Sequence, residues 1–116
     1  MKVWEIAEEA ARAAADKKGY DIIILNISPI SLIADYFVIT SAKNRAQMEA
    51  IADHVIERLN TCHQSLLHRE GRGTSPWLLL DYGAVVVHIF KEKARQFYAL
   101  ESLWGDAPVH RLENRQ

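Results

Sequence analysis

Five histidines (His54, His63, His68, His88 and His110) and a single cysteine, Cys62, are the side chains of this sequence best suited to bind metal or attack a substrate. None of them stands in an HxH, HExxH or CxxC spacing, the arrangements by which a helix or turn aims several ligands at one ion. No metal site is expected. Cys62 and Ser75 have no activating base near them in sequence, so nucleophilic catalysis has no local support. Glycines 19, 71, 73, 83 and 105 form neither a GxGxxG loop nor a P-loop, so no phosphate cradle and no nucleotide cofactor are expected. Asp35 and Asp81 each stand near the end of an apolar run, where a nucleotidyltransferase-type enzyme would place paired carboxylates on a divalent metal. Neither belongs to a DxD pair, and a lone aspartate at a strand end more often accepts hydrogen bonds from turn backbone. His88 is different, because it lies inside the apolar run VVVHIF. There it is either a core histidine satisfied by a hydrogen bond or a residue on a functional face, and the structural role is favoured. The side-chain chemistry points away from an enzyme.

The elements that must position these residues are legible. Residues 2 to 18 carry Val3, Ile6, Ala7, Ala10 and Ala14 at helical spacing, with Gly19 as the C-terminal stop. The run 21–27, DIIILNI, is a strand whose unbroken apolarity predicts burial on both faces. After SPISLIA comes a second strand over 35–41. Asn44 is a candidate N-cap, with Gln47 three residues on completing a capping box. Met48, Ile51, Ala52, Val55, Ile56 and Leu59 then mark an amphipathic helix. Residues 63–70 alternate weakly and read as an edge strand. GRGTSP, 71–76, is the most flexible loop expected. Two further strands cover 77–80 and 84–90, with Asp81-Tyr82-Gly83 at the turn. A last helix runs from about Lys91 to Gly105, and the tail from Pro108 reads as a short strand or a frayed end. This order predicts one α/β (α+β) domain over residues 1–116, a mixed sheet of about five strands packed with helices, in a nucleotidyltransferase-like topology.

The 116 residues are enough for a hydrophobic core without disulfides or metal. Lys and Arg total 14 against 15 Asp and Glu, a net charge of -1, which argues against binding driven mainly by nucleic-acid phosphates. The lone cysteine suits a reducing compartment. The N-terminus MKVWEIAEEA lacks a signal peptide's apolar core, and the longest apolar runs are too short to span a bilayer. A cytoplasmic protein with no membrane partner is expected.

The run from Trp77 to Trp104 is dense in aromatic residues and poor in catalytic ones. Aromatics of this kind are most often core, yet Trp and Tyr also carry much of the energy of protein interfaces. The segments DIIIL, ISPISLIADYFVITSA, NRAQMEAIAD, WLLLDYGAVVVHIF and ARQFYALESLWGDA together resemble the ribosomal silencing factor family, RsfS or Iojap. The resemblance covers the chain from near its start to the Leu112 region. Two positions depart from the family's usual pattern: Ala84 stands where Asp is usual, and Leu32-Ile33 is apolar where a polar pair is usual. The resemblance implies a translational repressor that binds the large ribosomal subunit through ribosomal protein L-fourteen and blocks subunit joining by occupying space when nutrients are short. It also admits a role in large-subunit assembly. On an alternating strand Trp77, Leu79 and Asp81 share one face, opposite Leu78 and Leu80. The expected partner-binding residues are therefore Trp77 as aromatic anchor, Leu79 beside it, Asp81 as a carboxylate for a basic partner, Tyr82 at the turn, and Asp35 on a neighbouring strand. Lys91, Lys93 and Arg95 are placed to meet nearby rRNA as a minor contact. Arg95, Tyr98, Glu101 and Trp104 also match the family and read first as helix-to-sheet packing. An uncovered aromatic patch further implies a homodimer when the protein is free.

Overall fold

The structure, a computed structural model, describes residues 1–98, 105 and 107–112, the side chains of Phe97 and Tyr98 excepted. Helix α1 (Val3–Asp16) begins where the Glu5 carboxylate accepts the Lys2 backbone N–H at 2.8 Å. Its inner stripe, Ile6, Ala7, Ala10, Ala11, Ala13 and Ala14, is buried, and the small alanines let the helix axis approach the sheet closely. The helix stops through Lys18, which takes the left-handed conformation at φ 64°, while the Gly19 N–H donates to the Ala14 carbonyl at 2.9 Å. Gly19 is needed for space rather than for its dihedral angle. A Cβ there would lie 2.6 Å from Thr40 Oγ1 and 2.9 Å from the Ala14 carbonyl oxygen.

Strands β1 (Tyr20–Asn26) and β2 (Tyr36–Ala42) pair antiparallel. Helix α2 (Arg45–Thr61) follows, capped by the Asn44 side chain, which accepts the Gln47 N–H at 2.9 Å. The return half of the expected capping box takes another route. Gln47 accepts from the Lys43 N–H at 2.7 Å and donates to the Lys17 and Lys18 carbonyls, joining the start of α2 to the end of α1. The expected edge strand over 63–70 shortens to β3 (His68–Glu70); His63 sits at φ 61°, outside strand geometry. Strands β4 (Trp77–Asp81) and β5 (Val85–Lys91) form the hairpin, followed by α3 (Glu92–Tyr98) and β6 (Val109–Arg111).

Among the described residues the sheet has six strands in the order β3-β4-β5-β2-β1-β6, one more than the approximate count expected from the sequence. The tail supplies β6, which pairs antiparallel with β1. Among the described residues only β2 and β5 run parallel, at the centre of the sheet. One face carries Ile22, Ile24, Val38, Leu78, Leu80, Val85, Val87 and Ile89 against α1 and α2. The other carries Ile23, Leu25, Ile39 and Phe90, with Ala94 of α3 packed on them. Thus β1 is buried on both faces, as its unbroken IIIL run predicts.

Candidate protein-docking surface

Strand β4 alternates as the sequence requires: Leu78 and Leu80 are fully buried toward α1 and α2, whereas Trp77, Leu79 and Asp81 are half-buried on the opposite face. The antiparallel register sets Phe90 opposite Trp77, His88 opposite Leu79 and Val86 opposite Asp81. One strand further in, Phe37 and Ile39 line up with Val86 and His88. The second face is therefore aromatic at this edge. Trp77 stacks on Phe90 with ring centroids 5.0 Å apart, and Phe37 meets His88 edge-on at 4.5 Å.

A polar contact joins Trp77 to this cluster. Its indole Nε1–H donates to His88 Nδ1 across 3.1 Å. His88 is 3% exposed, and burial drives its pKa down to about 3, so the imidazole is neutral at physiological pH. Its Nε2 is buried with no hydrogen-bond partner among the described residues. His88 is thus a buried, hydrogen-bonded histidine, as the structural reading expects, and it lies on the same face of the sheet as Trp77.

At the end of the hairpin, Asp81 Oδ1 accepts the Gly83 N–H at 2.7 Å, and Gly83 takes φ 85° to close the turn. The Asp81 carbonyl accepts the Leu67 N–H at 2.9 Å. Asp35 lies beside the same turn, one residue before β2, its N–H donating to the Ala84 carbonyl at 2.8 Å, and β5 separates β2 from the strand of Asp81. Among the described residues neither Asp35 nor Asp81 forms an ion pair. Tyr82 is set apart from the other candidates. Its ring packs on the core beneath α1 and α2, its hydroxyl is buried without a partner among the described residues, and burial raises its pKa to about 12. The structure therefore joins Trp77, Leu79 and Asp81 on one face, sets Asp35 at its end, and turns Tyr82 to the opposite side.

The loop leading into Trp77, GRGTSP, is held at both shoulders. Arg45, in the first turn of α2, donates to the Ser75 carbonyl at 2.7 Å and to the Gly71 carbonyl at 2.8 Å. Arg45 also pairs with Glu49, which Arg69 of β3 holds from the other side at 2.5 Å. Burial alone would raise the Glu49 pKa, but the two guanidinium groups outweigh it and lower it. Gly71 sits at φ 92° where a Cβ would fall 2.1 Å from the Trp77 carbonyl oxygen, so the backbone approaches too closely for any side chain.

Arg95 of α3 is buried and donates to the Asp21 carbonyl and, at 2.8 Å, to Ser41 Oγ, docking α3 on the second face. That placement fits helix-to-sheet packing and removes Arg95 from any surface contact with rRNA; Lys91 and Lys93 are exposed. Glu101 and Trp104 lie outside the described residues, and Tyr98 is described only as part of the helix backbone. Sequence reasoning passed over Phe37 and Phe90 as members of the aromatic cluster, although the two-residue spacing of His88 and Phe90 marks them as sharing a face. In the β1–β2 loop, Leu32 and Ile33, apolar where the family's pattern is usually polar, are strongly exposed together with Ile30. Among the described residues no group of three His, Cys, Asp or Glu is placed to hold a metal ion, and no helix is long and apolar enough to cross a membrane.

The family model described as ribosomal silencing factor during starvation, RsfS, matches residues 2–116. The chain belongs to this family. A ribosomal silencing factor of Bacillus subtilis is 40% identical over 113 residues, covering 97% of this chain and 96% of that one. A crystal structure of a Chromobacterium violaceum protein superposes with a TM-score of 0.87 at 30% identity, covering 100% of this chain and 98% of that one. A mouse protein named for mitochondrial assembly of the ribosomal large subunit is 29% identical over 87 residues, 72% of this chain and 38% of that protein. As an RsfS-family silencing factor the chain is a translational repressor linked to ribosome silencing under starvation, and its role is non-enzymatic. The ribosome is its target.

Proposed function

We propose that this silencing factor docks on the large ribosomal subunit through the outer face of β4, with ribosomal protein L-fourteen as the chief contact. The observation that carries this reading is the half-buried Trp77, stacked on Phe90 and flanked by Leu79 and by the carboxylate of Asp81, which has no ion-pair partner among the described residues. An aromatic anchor beside an unpaired carboxylate suits a basic protein surface. Once bound, the rigid domain, taken as the whole of residues 1–116, excludes the small subunit by volume and lowers translation when nutrients are limiting. The nucleotidyltransferase-like topology then serves as a scaffold, and exposed Lys91 and Lys93 supply a minor contact to rRNA. The site of action is the cytoplasm, and a homodimer forms through the Trp77 face when the ribosome is absent.

Sedimentation with separated small subunits, large subunits and joined ribosomes tests this directly. Wild-type protein is expected to travel with large subunits alone. Trp77→Ala should lose ~2 kcal/mol or more, a weakening of about thirtyfold, while remaining folded. Binding that survives in Trp77→Ala would move the docking face elsewhere. The name of the mouse relative favours a second reading, a role in assembly of the large subunit. Association with immature particles in preference to finished subunits would support that role.

A further inference from the structure

We propose that His88 is the positioning residue of the docking face, presenting a bare Nδ1 that fixes the plane of the Trp77 indole before any partner arrives. This rests on the reading of the Trp77 face as the docking surface. The tautomer follows from the partner. An indole N–H can only donate, so His88 Nδ1 must accept, and the single proton of a neutral imidazole then resides on Nε2. The low pKa that burial imposes keeps the ring in this neutral form, because protonating Nδ1 would abolish the acceptor. The imidazole is in turn held by its neighbours: Phe37 meets it edge-on at 4.5 Å, and Phe90 lies parallel to it with centroids 6.3 Å apart.

Two observations separate this role from plain core filling. The first is the orphaned Nε2–H, buried with no acceptor among the described residues. A buried donor left unmet disfavours folding, so an apolar residue of similar size would fill this position with less strain. What only the imidazole offers is the acceptor on its other nitrogen. The second is the register. His88 stands opposite Leu79 rather than Trp77, so the bond runs diagonally along the hairpin and fixes the direction in which the indole N–H points. A tryptophan held in this way has little rotational freedom left to lose on docking.

The test pairs His88→Phe, which keeps a ring but removes the acceptor, with His88→Asn, whose amide oxygen takes the place of Nδ1. Both are made in the wild-type and Trp77→Phe backgrounds. Binding to purified large subunits, thermal unfolding and the indole N–H resonance assigned to Trp77 are measured for each. The expected results are that His88→Phe melts no lower than wild type, that its Trp77 N–H resonance moves to a non-bonded position, and that affinity falls about tenfold. His88→Asn should restore the resonance and most of the affinity. In the Trp77→Phe background, where no N–H remains to be held, the His88 substitutions should have no further effect on binding. Equal losses in both backgrounds would make His88 a structural residue only and overturn the proposal. Wild-type affinity in His88→Phe, with binding lost in Trp77→Ala, would also overturn it while leaving the docking face intact. Wild-type affinity in Trp77→Ala would remove the docking face itself, and the positioning role with it. Should His88→Phe fail to fold, His88→Leu, which also lacks an acceptor, takes its place: affinity should fall in the wild-type background and not in Trp77→Phe, and equal losses in both would overturn the proposal.

Discussion

At the residue scale, two groups have states set by their surroundings. His88 is neutral in the folded chain down to about pH 3, whereas in the unfolded chain it takes up a proton near its ordinary value of 6.5. The unfolded state therefore binds more protons than the folded one between these limits. Its contribution to stability is complete above about pH 6.5, declines as pH falls, and is gone below about pH 3. Urea denaturation of wild type and His88→Phe at pH 7.5 and pH 4.5 should show the gap between them widening in favour of the variant by ~2 to 3 kcal/mol at the lower pH. A constant gap would mean that His88 titrates in the folded state. Asp81 permits a cleaner separation of charge from structure. Because Oδ1 accepts the Gly83 N–H, Asp81→Asn keeps the turn acceptor and discards only the charge. Its stability should stay within ~0.5 kcal/mol of wild type. Its association with large subunits should be slower and less sensitive to salt, as measured by binding kinetics across a salt series.

At the scale of elements, the candidate surface exists because three neighbours constrain β4. The β5 register places His88 and Phe90 beneath its outer face, α2 holds the loop before it through Arg45, and the Asp81–Gly83 turn ends it. Little of this support is visible locally. The alternation of WLLLD is legible in the sequence, and so is the capping role of Asn44; the destinations of Arg45 and Gln47 are not, because their partners lie 26 to 30 residues away. Tyr82 shows the same division. Its membership of the turn follows from the sequence, but the side on which its ring lands depends on how the turn is twisted against the core. The junction of α1 and β1 offers a test of packing alone. Gly19→Ala would push a methyl group against Thr40 and the Ala14 carbonyl, and should cost roughly 1 to 3 kcal/mol in thermal or denaturant unfolding. An unchanged melting temperature would show that the end of α1 yields more readily than the close contacts suggest.

At the scale of the whole molecule, helices α1 and α2 cover one face of a six-stranded sheet, and α3 covers part of the other. The edge of that second face at β4 is half-buried, and it is the proposed ribosome contact. If the free protein also uses it to self-associate, dimer and ribosome must compete. Sedimentation equilibrium should then show a dimer that weakens in Trp77→Ala, and binding to large subunits should fall below simple saturation as protein concentration rises. A dimer indifferent to Trp77→Ala would place self-association on another surface.

The sequence by itself determined the element order, the two-sided burial of β1, the alternation of β4 and the absence of local catalytic spacing, because each of these is a property of residues within a turn or a strand of one another. It also carried the family likeness, in motifs long enough to be matched along nearly the whole chain. Only the tertiary structure decided which side of each strand meets the helices, that Trp77 rests on His88 and Phe90, that Tyr82 turns away, and that Arg45 secures the loop before the anchor. These depend on strand register and on contacts between distant segments, where a shift of one residue would exchange the two faces of the sheet while leaving every local pattern unchanged.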